Sequence, residues 1–390
     1  MSTQVRLGIV GIGNMGSCHL DNIVAGKIGR LQVTAICDVV ADKLKKHPTI
    51  AHFGDAGQMI RSGAIDALLI CTPHYDHTTI GVDALAQGLH VLVEKPLSVH
   101  KADCARLIAA WDKRPKPSQV FAAMFNQRTD PHYIKLRSMI RGGELGEIRR
   151  INWIITDWFR TEAYYASGGW RATWKGEGGG VLTNQCPHNL DLMQWMFGMP
   201  TKVRAFAKFG AWHGIETEDA VTAYLDYANG ASGVFVTTTG EAPGTNRLEV
   251  AAERGKIVIE DGKMTFTRNV TPMSEFSRTT TAAFSRPEVW HIDIPVHGHG
   301  GQHNEVLQNF TDAILDGKEL IAPAQEGIHS VELGNAMILS SLLERTIDLP
   351  MDGAVYEQQL KKLIAESKFE KKTAKAAAAS AEDFAKSNKK

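Results

Sequence analysis

The sequence predicts an α/β protein of two domains: a doubly wound parallel sheet, then an α+β unit on a large, open, mostly antiparallel sheet. Three observations carry this. Continuous apolar runs alternate with helical patterns from residue 5 to about 125, as in parallel strands covered on both faces. From about 126 to 346, strand-like stretches follow one another across short Gly or Asn turns, which favours antiparallel pairing. The chain has 390 residues, room for two domains of ~100–200 residues each.

Val5–Val10 reads as the first strand and Met15–Ala25 as the helix after it. Leu31–Cys37 is a strand ending in Asp38. Ile65–Cys71 is a strand ending in Thr72-Pro73, and His77–Gln87 is a helix that Gly88 stops. His90–Val93 is a strand running into Glu94-Lys95-Pro96. Val99–Trp111 is helical and Val120–Phe125 closes the set. Between them, Asp112–Gln119 holds two prolines and three basic residues and reads as an exposed connector.

In the second half, Ile148–Trp158, Lys202–Trp212, Ala220–Tyr227, Gly233–Thr239, Leu248–Ala252 and Lys256–Glu260 read as strands. Helices are expected at His132–Arg141, His188–Phe197, Asn304–Asp316 and Glu326–Glu344. The domains are therefore 1–125 for a dinucleotide, 126–350 for substrate and oligomerisation, and 351–390 as a charged, Lys/Ala-rich tail. Residues 357–390 read as solubilising and partly disordered, with a frayed helix at Ala374–Ala379. An open sheet often buries one face between subunits, so a homodimer or homotetramer through that sheet is expected.

Lys+Arg and Asp+Glu both number 43, so the net formal charge is zero. Such a chain has no global field to steer nucleic acid, which argues against that partner. No apolar stretch approaches the ~18–20 residues of a membrane span, and no signal peptide precedes the first strand. Cys18, Cys37, Cys71, Cys104 and Cys186 are odd in number and show no CxxC spacing. They read as buried hydrophobes in a reducing compartment. A cytoplasmic protein with a small-molecule substrate and no membrane partner is the expectation.

Gly11-Ile12-Gly13-Asn14-Met15-Gly16 sits between strand and helix, the context that makes GxGxxG a Rossmann dinucleotide fingerprint. Gly11 allows the tight turn, Gly13 lets backbone approach the pyrophosphate, and Gly16 permits close helix packing. The amides opening the helix at Asn14 and Met15 face the anion. Asp38 stands ~20 residues on, where an acid accepts from the adenosine ribose hydroxyls and repels a 2′-phosphate. Val39 and Val40 offer no basic replacement, so NAD is preferred over NADP. Ligands in such sheets lie outside the carboxyl ends of the strands. The Thr72-Pro73-His74 and Glu94-Lys95-Pro96 loops therefore run along the dinucleotide, and His74 and His77 share that rim.

These residues resemble the glucose–fructose oxidoreductase / inositol dehydrogenase (Gfo/Idh/MocA) family, from Val5 to about Pro350. The resemblance rests on the glycine loop, the Thr72-Pro73 loop with His77, the Glu94-Lys95-Pro96 loop, and the segment from Gly178-Gly179-Gly180 to His188 and Asp191. It implies NAD(P)-dependent oxidation of sugar, polyol or glycoside hydroxyls, or the reverse reduction. It also implies that the lysine at Lys95 and a histidine at His188 do chemistry, with an aspartate four residues before the histidine. Here that position is Asn184, which can hydrogen-bond a hydroxyl but is no acid or base.

Oxidising a secondary alcohol needs a hydride acceptor and a base. His188 suits the base, with an ordinary pKa of ~6.5. Lys95 would hold the hydroxyl oxygen and stabilise the developing alkoxide. Asp191, a helical turn beyond His188, is placed to orient it. Trp153, Asp157, Trp158, Arg160, Tyr164, Trp170, Arg171 and Trp174 crowd before the glycine run. Aromatic faces mixed with charged donors suit a pyranose or inositol ring, and the two arginines alternatively suit a phosphate or carboxylate. Asn126 and Arg128 at the domain junction are further substrate candidates. His297, His299 and His303 cluster before a helix, but no Cys or carboxylate completes a ligand set. No metal is expected, and the loop reads as substrate-side or interfacial. Two other functions fit the same pattern: an NAD-dependent glycosidase that oxidises a ring carbon transiently, and a non-catalytic dinucleotide sensor.

Overall fold

The computed structural model describes residues 3–371; the Ala374–Ala379 stretch lies outside them. The first sheet holds β1 (Val5–Val10), β2 (Leu31–Cys37), β3 (Ala51–Phe53), β4 (Ala67–Ile70), β5 (His90–Val93) and β6 (Phe121–Ala123). Their order is β3-β2-β1-β4-β5-β6, all parallel. Helices cover both faces, so Leu7, Ile9, Leu68 and Leu69 are all buried. That is why these strands are continuously apolar rather than alternating. The order reverses between β1 and β4, and the loops after β1, β4 and β5 open at this switch point. The three-residue edge strand β3 was invisible in the sequence because two of its residues are exposed and it is too short to carry a pattern.

The second sheet holds β7 (Ile148–Ile155), β8 (Lys202–Phe209), β9 (Glu218–Asp226), β10 (Ser232–Thr238), β11 (Asn246–Ala252), β12 (Gly255–Glu260), β13 (Lys263–Asn269), β14 (Val289–Ile294) and β15 (Ile347–Asp348). Their order is β14-β13-β12-β11-β7-β10-β9-β8-β15. Only β7 and β10 run parallel. The inner face sends Trp153, Ile155, Phe235, Leu248 and Val250 into one core with the helices Pro187–Phe197 and Gly327–Leu342. The outer face exposes Ile154, Phe206 and Tyr224. β7 and β8 end three residues sooner than expected, and the freed chain builds the loops around the cleft.

Two segments depart from the expected partition. The helix Gln302–Asp316 packs Val306, Leu307 and Phe310 into the core of β1, and Arg30 grips Asp312 and Asp316 at 2.7 and 2.5 Å. The second half of the chain thus returns to close the first domain. Residues 357–366 are not part of a solubilising tail. Gly353–Glu366 is a helix whose Tyr356 and Leu360 are buried in the second core. The spacing of four between those residues was the overlooked signal.

Candidate active site

The glycine loop is shaped by its neighbours. Gly11 has φ +90°, and a Cβ there would lie 2.7 Å from the Cys71 carbonyl. A Cβ on Gly16 would lie 1.9 Å from the Gly11 oxygen. Gly13 differs, because nothing stands within 4 Å of its Cβ position. The fold itself requires the first two glycines, whereas Gly13 leaves bare backbone facing open space. The helix Asn14–Val24 begins there with no capping side chain, so the Asn14 and Met15 amides remain available to an anion. This arrangement fits a dinucleotide pyrophosphate. Thr72 Oγ1, beside Pro73 at the tip of β4, is buried without a partner, a second feature that fits a bound group.

Asp38 ends β2. Its carboxylate accepts from Ile12 N and Val40 N, each at 2.8 Å, and from Lys43 Nζ at 2.9 Å. Lys43 was not anticipated, because it lies beyond Val39 and Val40, the two residues that directly follow Asp38.

His77 was expected to face the cofactor. Instead both ring nitrogens are engaged with carbonyls, Nδ1 with Pro96 O at 2.9 Å and Nε2 with Thr72 O at 3.0 Å. Burial favours the neutral ring and lowers its pKa against those two acceptors, so the ring donates to one carbonyl while its other nitrogen lies against the second. His77 therefore staples the β4 and β5 loops together. Glu94 is committed in the same way: Oε1 accepts from His19 Nε2 at 2.7 Å and Oε2 from Lys95 N at 3.1 Å. Burial opposes its charge, but His19, with His303 and Lys95, more than offsets this and holds the carboxyl pKa at about 2. Cys71 lies within 4.8 Å of that pair, and burial pushes its thiol well up.

The Lys95-Pro96 bond is cis. Lys95 Nζ donates to the Asn184 carbonyl at 2.7 Å, so the tip of β5 meets the segment that carries His188. Burial lowers the Lys95 pKa, with Glu94 and Glu177 pulling the other way. His188 opens the helix Pro187–Phe197 and stands edge-on to Phe125, with centroids 6.4 Å apart. Its Nδ1 is buried without a partner. Burial holds its pKa well below the ordinary value, and the charges of Lys95 and His303 add to this.

Asn184 Nδ2 donates to Glu177 Oε1, and its Oδ1 accepts from Tyr164 Oη at 3.3 Å. Tyr164 Oη accepts from Arg171 Nη1 and Gln185 Nε2, each at 3.0 Å. Glu177 is the group the sequence reasoning missed. It is a buried carboxylate, raised in pKa by desolvation, bonded to the position where a carboxylate was expected. A lone acid directly before the glycine run was the available signal. His303 was half seen. It leaves His297 and His299 in the exposed loop and packs 5.5 Å from the His19 ring. Burial drops its pKa to about 4.

Several other assignments fail on geometry. Arg128 does not face substrate: it is 2% exposed and clamps Asp191 at 2.7 and 2.6 Å, with Glu326 alongside. Asp191 consequently cannot orient His188, since its oxygens belong to Arg128 and Gln194. Trp174 lies in the second core, 5.8 Å from the Phe209 ring, and Trp153 is fully buried. Asn126 is buried with Nδ2 on Gln302 Oε1 at 2.6 Å. Asp157, Arg160, Trp170 and Arg171 are half-buried around Tyr164 and the tip of β7.

Known proteins share this architecture. A family model described as "Oxidoreductase family, NAD-binding Rossmann fold" matches residues 5–122, and one described as "GFO/IDH/MocA C-terminal domain" matches 133–258. The rhizopine catabolism protein MocA of Rhizobium meliloti is 32% identical over 237 residues, covering 60% of this chain and 70% of that protein. An inositol 2-dehydrogenase of Salmonella typhimurium is 34% identical over 148 residues, or 37% of this chain and 43% of its own. Among solved structures, the WlbA dehydrogenase of Chromobacterium violaceum, bound to NADH and UDP-GlcNAcA, aligns with a TM-score of 0.77 at 22% identity, covering 90% of this chain and 97% of that one. At that identity the likeness is one of fold.

Proposed function

Because this chain belongs to the GFO/IDH/MocA oxidoreductase family, with its NAD-binding Rossmann domain, we propose that it oxidises a secondary hydroxyl of a sugar, glycoside or cyclitol, or reduces the corresponding ketone. The observation that carries this reading is the Lys95 Nζ to Asn184 carbonyl contact at 2.7 Å. It ties a strand tip of the cofactor domain to the segment bearing His188.

NAD supplies the hydride acceptor. Lys95 donates to the substrate oxygen and stabilises the alkoxide as the proton leaves. His188, kept neutral by burial, accepts that proton. A low imidazole pKa weakens the pull on the proton, and the lysine charge beside the oxygen compensates by acidifying the alcohol. Asn184, anchored by Glu177 and Tyr164, orients a neighbouring hydroxyl. The 1–125 unit holds the dinucleotide, and 126–350 supplies the substrate wall except where the helix Gln302–Asp316 returns.

The likeness to inositol 2-dehydrogenase supports the choice of a small polyhydroxy ring. Among the described residues no helix is long and apolar enough to cross a membrane, and the five free cysteines fit a reducing, cytoplasmic setting. The exposed Ile154, Phe206 and Tyr224 share one sheet face, which supports a homodimer or homotetramer through that face. A screen of sugars, methyl glycosides and inositols, following NADH absorbance, tests the reading. Retained NAD binding with no NADH from any compound would leave the sensor function instead, and glycoside cleavage without net NADH would favour the glycosidase.

A further inference from the structure

Two guanidinium groups share one tyrosine ring in the substrate wall. Arg171 lies 4.6 Å from the centroids of both Tyr164 and Trp170. Arg160 lies 5.2 Å from Tyr164 and 5.4 Å from Trp158. Each carries five N–H donors, yet their protein acceptors are few: Tyr164 Oη for Arg171 and the Phe159 carbonyl for Arg160. Among the described residues neither has a carboxylate at ion-pair distance. Glu177 is the acid whose charge is felt at Arg171, but its oxygens already serve Asn184 Nδ2 and Ala172 N. Arg128, by contrast, is saturated by two acids and a carbonyl.

Like charges held about one ring repel each other, and stacking on aromatic faces offsets only part of that cost. An anion between them would relieve it and fill the idle donors. The position is also useful. Arg171 bonds Tyr164, Tyr164 bonds Asn184, and the Asn184 carbonyl holds Lys95. Arg171 thus belongs to the hydrogen-bonded network of the reacting centre, and Arg160 stacks on the tyrosine at its middle. We propose that Arg160 and Arg171 form an oxyanion subsite, so that the hydroxyl compound oxidised here carries a carboxylate or phosphate. This rests on the function proposed above and narrows its substrate class. Planar, bidentate donors suit either group.

The test uses the full chain with NAD and three ring-matched compounds: a methyl glucoside, the corresponding methyl glucuronide, and glucose 6-phosphate. One acidic compound should exceed the neutral one in kcat/KM by about tenfold or more, the range of charge-assisted hydrogen bonds. The glucuronide leading identifies a carboxylate; the phosphate ester leading identifies a phosphate. Arg171→Met and Arg160→Met should each reduce the acid-to-neutral ratio at least severalfold, with Arg171→Lys retaining part of it. A neutral compound turning over as well as both acids overturns the subsite while leaving the oxidoreductase reading intact. So does an equal loss on acid and neutral compounds in the variants.

Binding is read separately, by the fluorescence of the tryptophans stacked on these arginines in the NADH complex. A change with an acidic compound, absent with the neutral one and lost in Arg171→Met, supports the subsite even where none of the three is oxidised. No response to either acid overturns it.

Discussion

The two rims of the cleft are held in opposite ways. The strand-tip rim is closed upon itself: His77 is wedged between two loop carbonyls, Glu94 holds His19, and Gly11 and Gly16 touch through space only hydrogen could occupy. The second-domain rim, from Asp157 to Glu177, is held by ring stacking and a tyrosine-centred network that leaves guanidinium donors unfilled. A rim whose side chains are pinned to its own loops, with only Thr72 Oγ1 and the uncapped helix amides left over, presents a fixed surface to a common cofactor. A rim with spare donors draws its remaining partners from the ligand, so specificity resides there.

The largest test of this contrast is at Lys95, where the rims meet. Lys95→Met should lower kcat by about a thousandfold, in the range for losing a positioned proton-transfer or oxyanion-stabilising group. NAD affinity should stay within a few fold, because the pyrophosphate cradle is elsewhere. Steady-state NADH formation with calorimetric NAD binding reads both. Full activity would remove the lysine from the chemistry and dissolve the joint between the rims.

Next in size is Arg128, which the sequence had offered to the substrate. Arg128→Met leaves Asp191 buried without its bidentate partner, and breaking such a pair costs about 3–5 kcal/mol. Chemical denaturation should register that loss. A stable variant with altered substrate KM would return Arg128 to the cleft.

A finer test separates two glycines of one motif. Gly16→Ala drives a Cβ into the Gly11 oxygen and should destabilise the fold. Gly13→Ala meets open space and should leave the melting temperature within a few degrees, while weakening NAD binding by about tenfold, one lost hydrogen-bond equivalent. Equal destabilisation by both would mean that the loop is shaped for packing alone.

The same contrast explains what was legible. The places of Gly11 to Gly16, Asp38, Lys95 and the β4 loop at strand tips were readable because a parallel sheet fixes which end of each strand faces the cleft, and the sequence marks strand ends clearly. His77 was placed on the right rim with the wrong role: periodicity locates a side chain but does not say which carbonyls it meets. Arg128, Asp191 and Trp174 were misread because their partners are distant in sequence, 63 residues apart for the ion pair. Glu177 escaped notice because the glycines after it dominate the pattern. The edge strands β3 and β15 are too short to carry a period.

The smallest effect is on pH. His188 must be neutral to accept a proton, and burial penalises its imidazolium form. Its pKa therefore lies below the ordinary ~6.5, and the acid limb of kcat/KM should fall below that pH. Lys95 must be charged, and burial lowers its pKa too, so the alkaline limb should begin below the ordinary ~10.4. The bell moves to lower pH on both sides, changing rates near neutrality only a few fold. His188→Asn should abolish the acid limb while sparing the alkaline one, because the two limbs belong to groups from different rims. An acid limb at or above pH ~6.5 would mean that His188 is open to solvent in the free enzyme, and that the second rim does not close over the first before substrate binds.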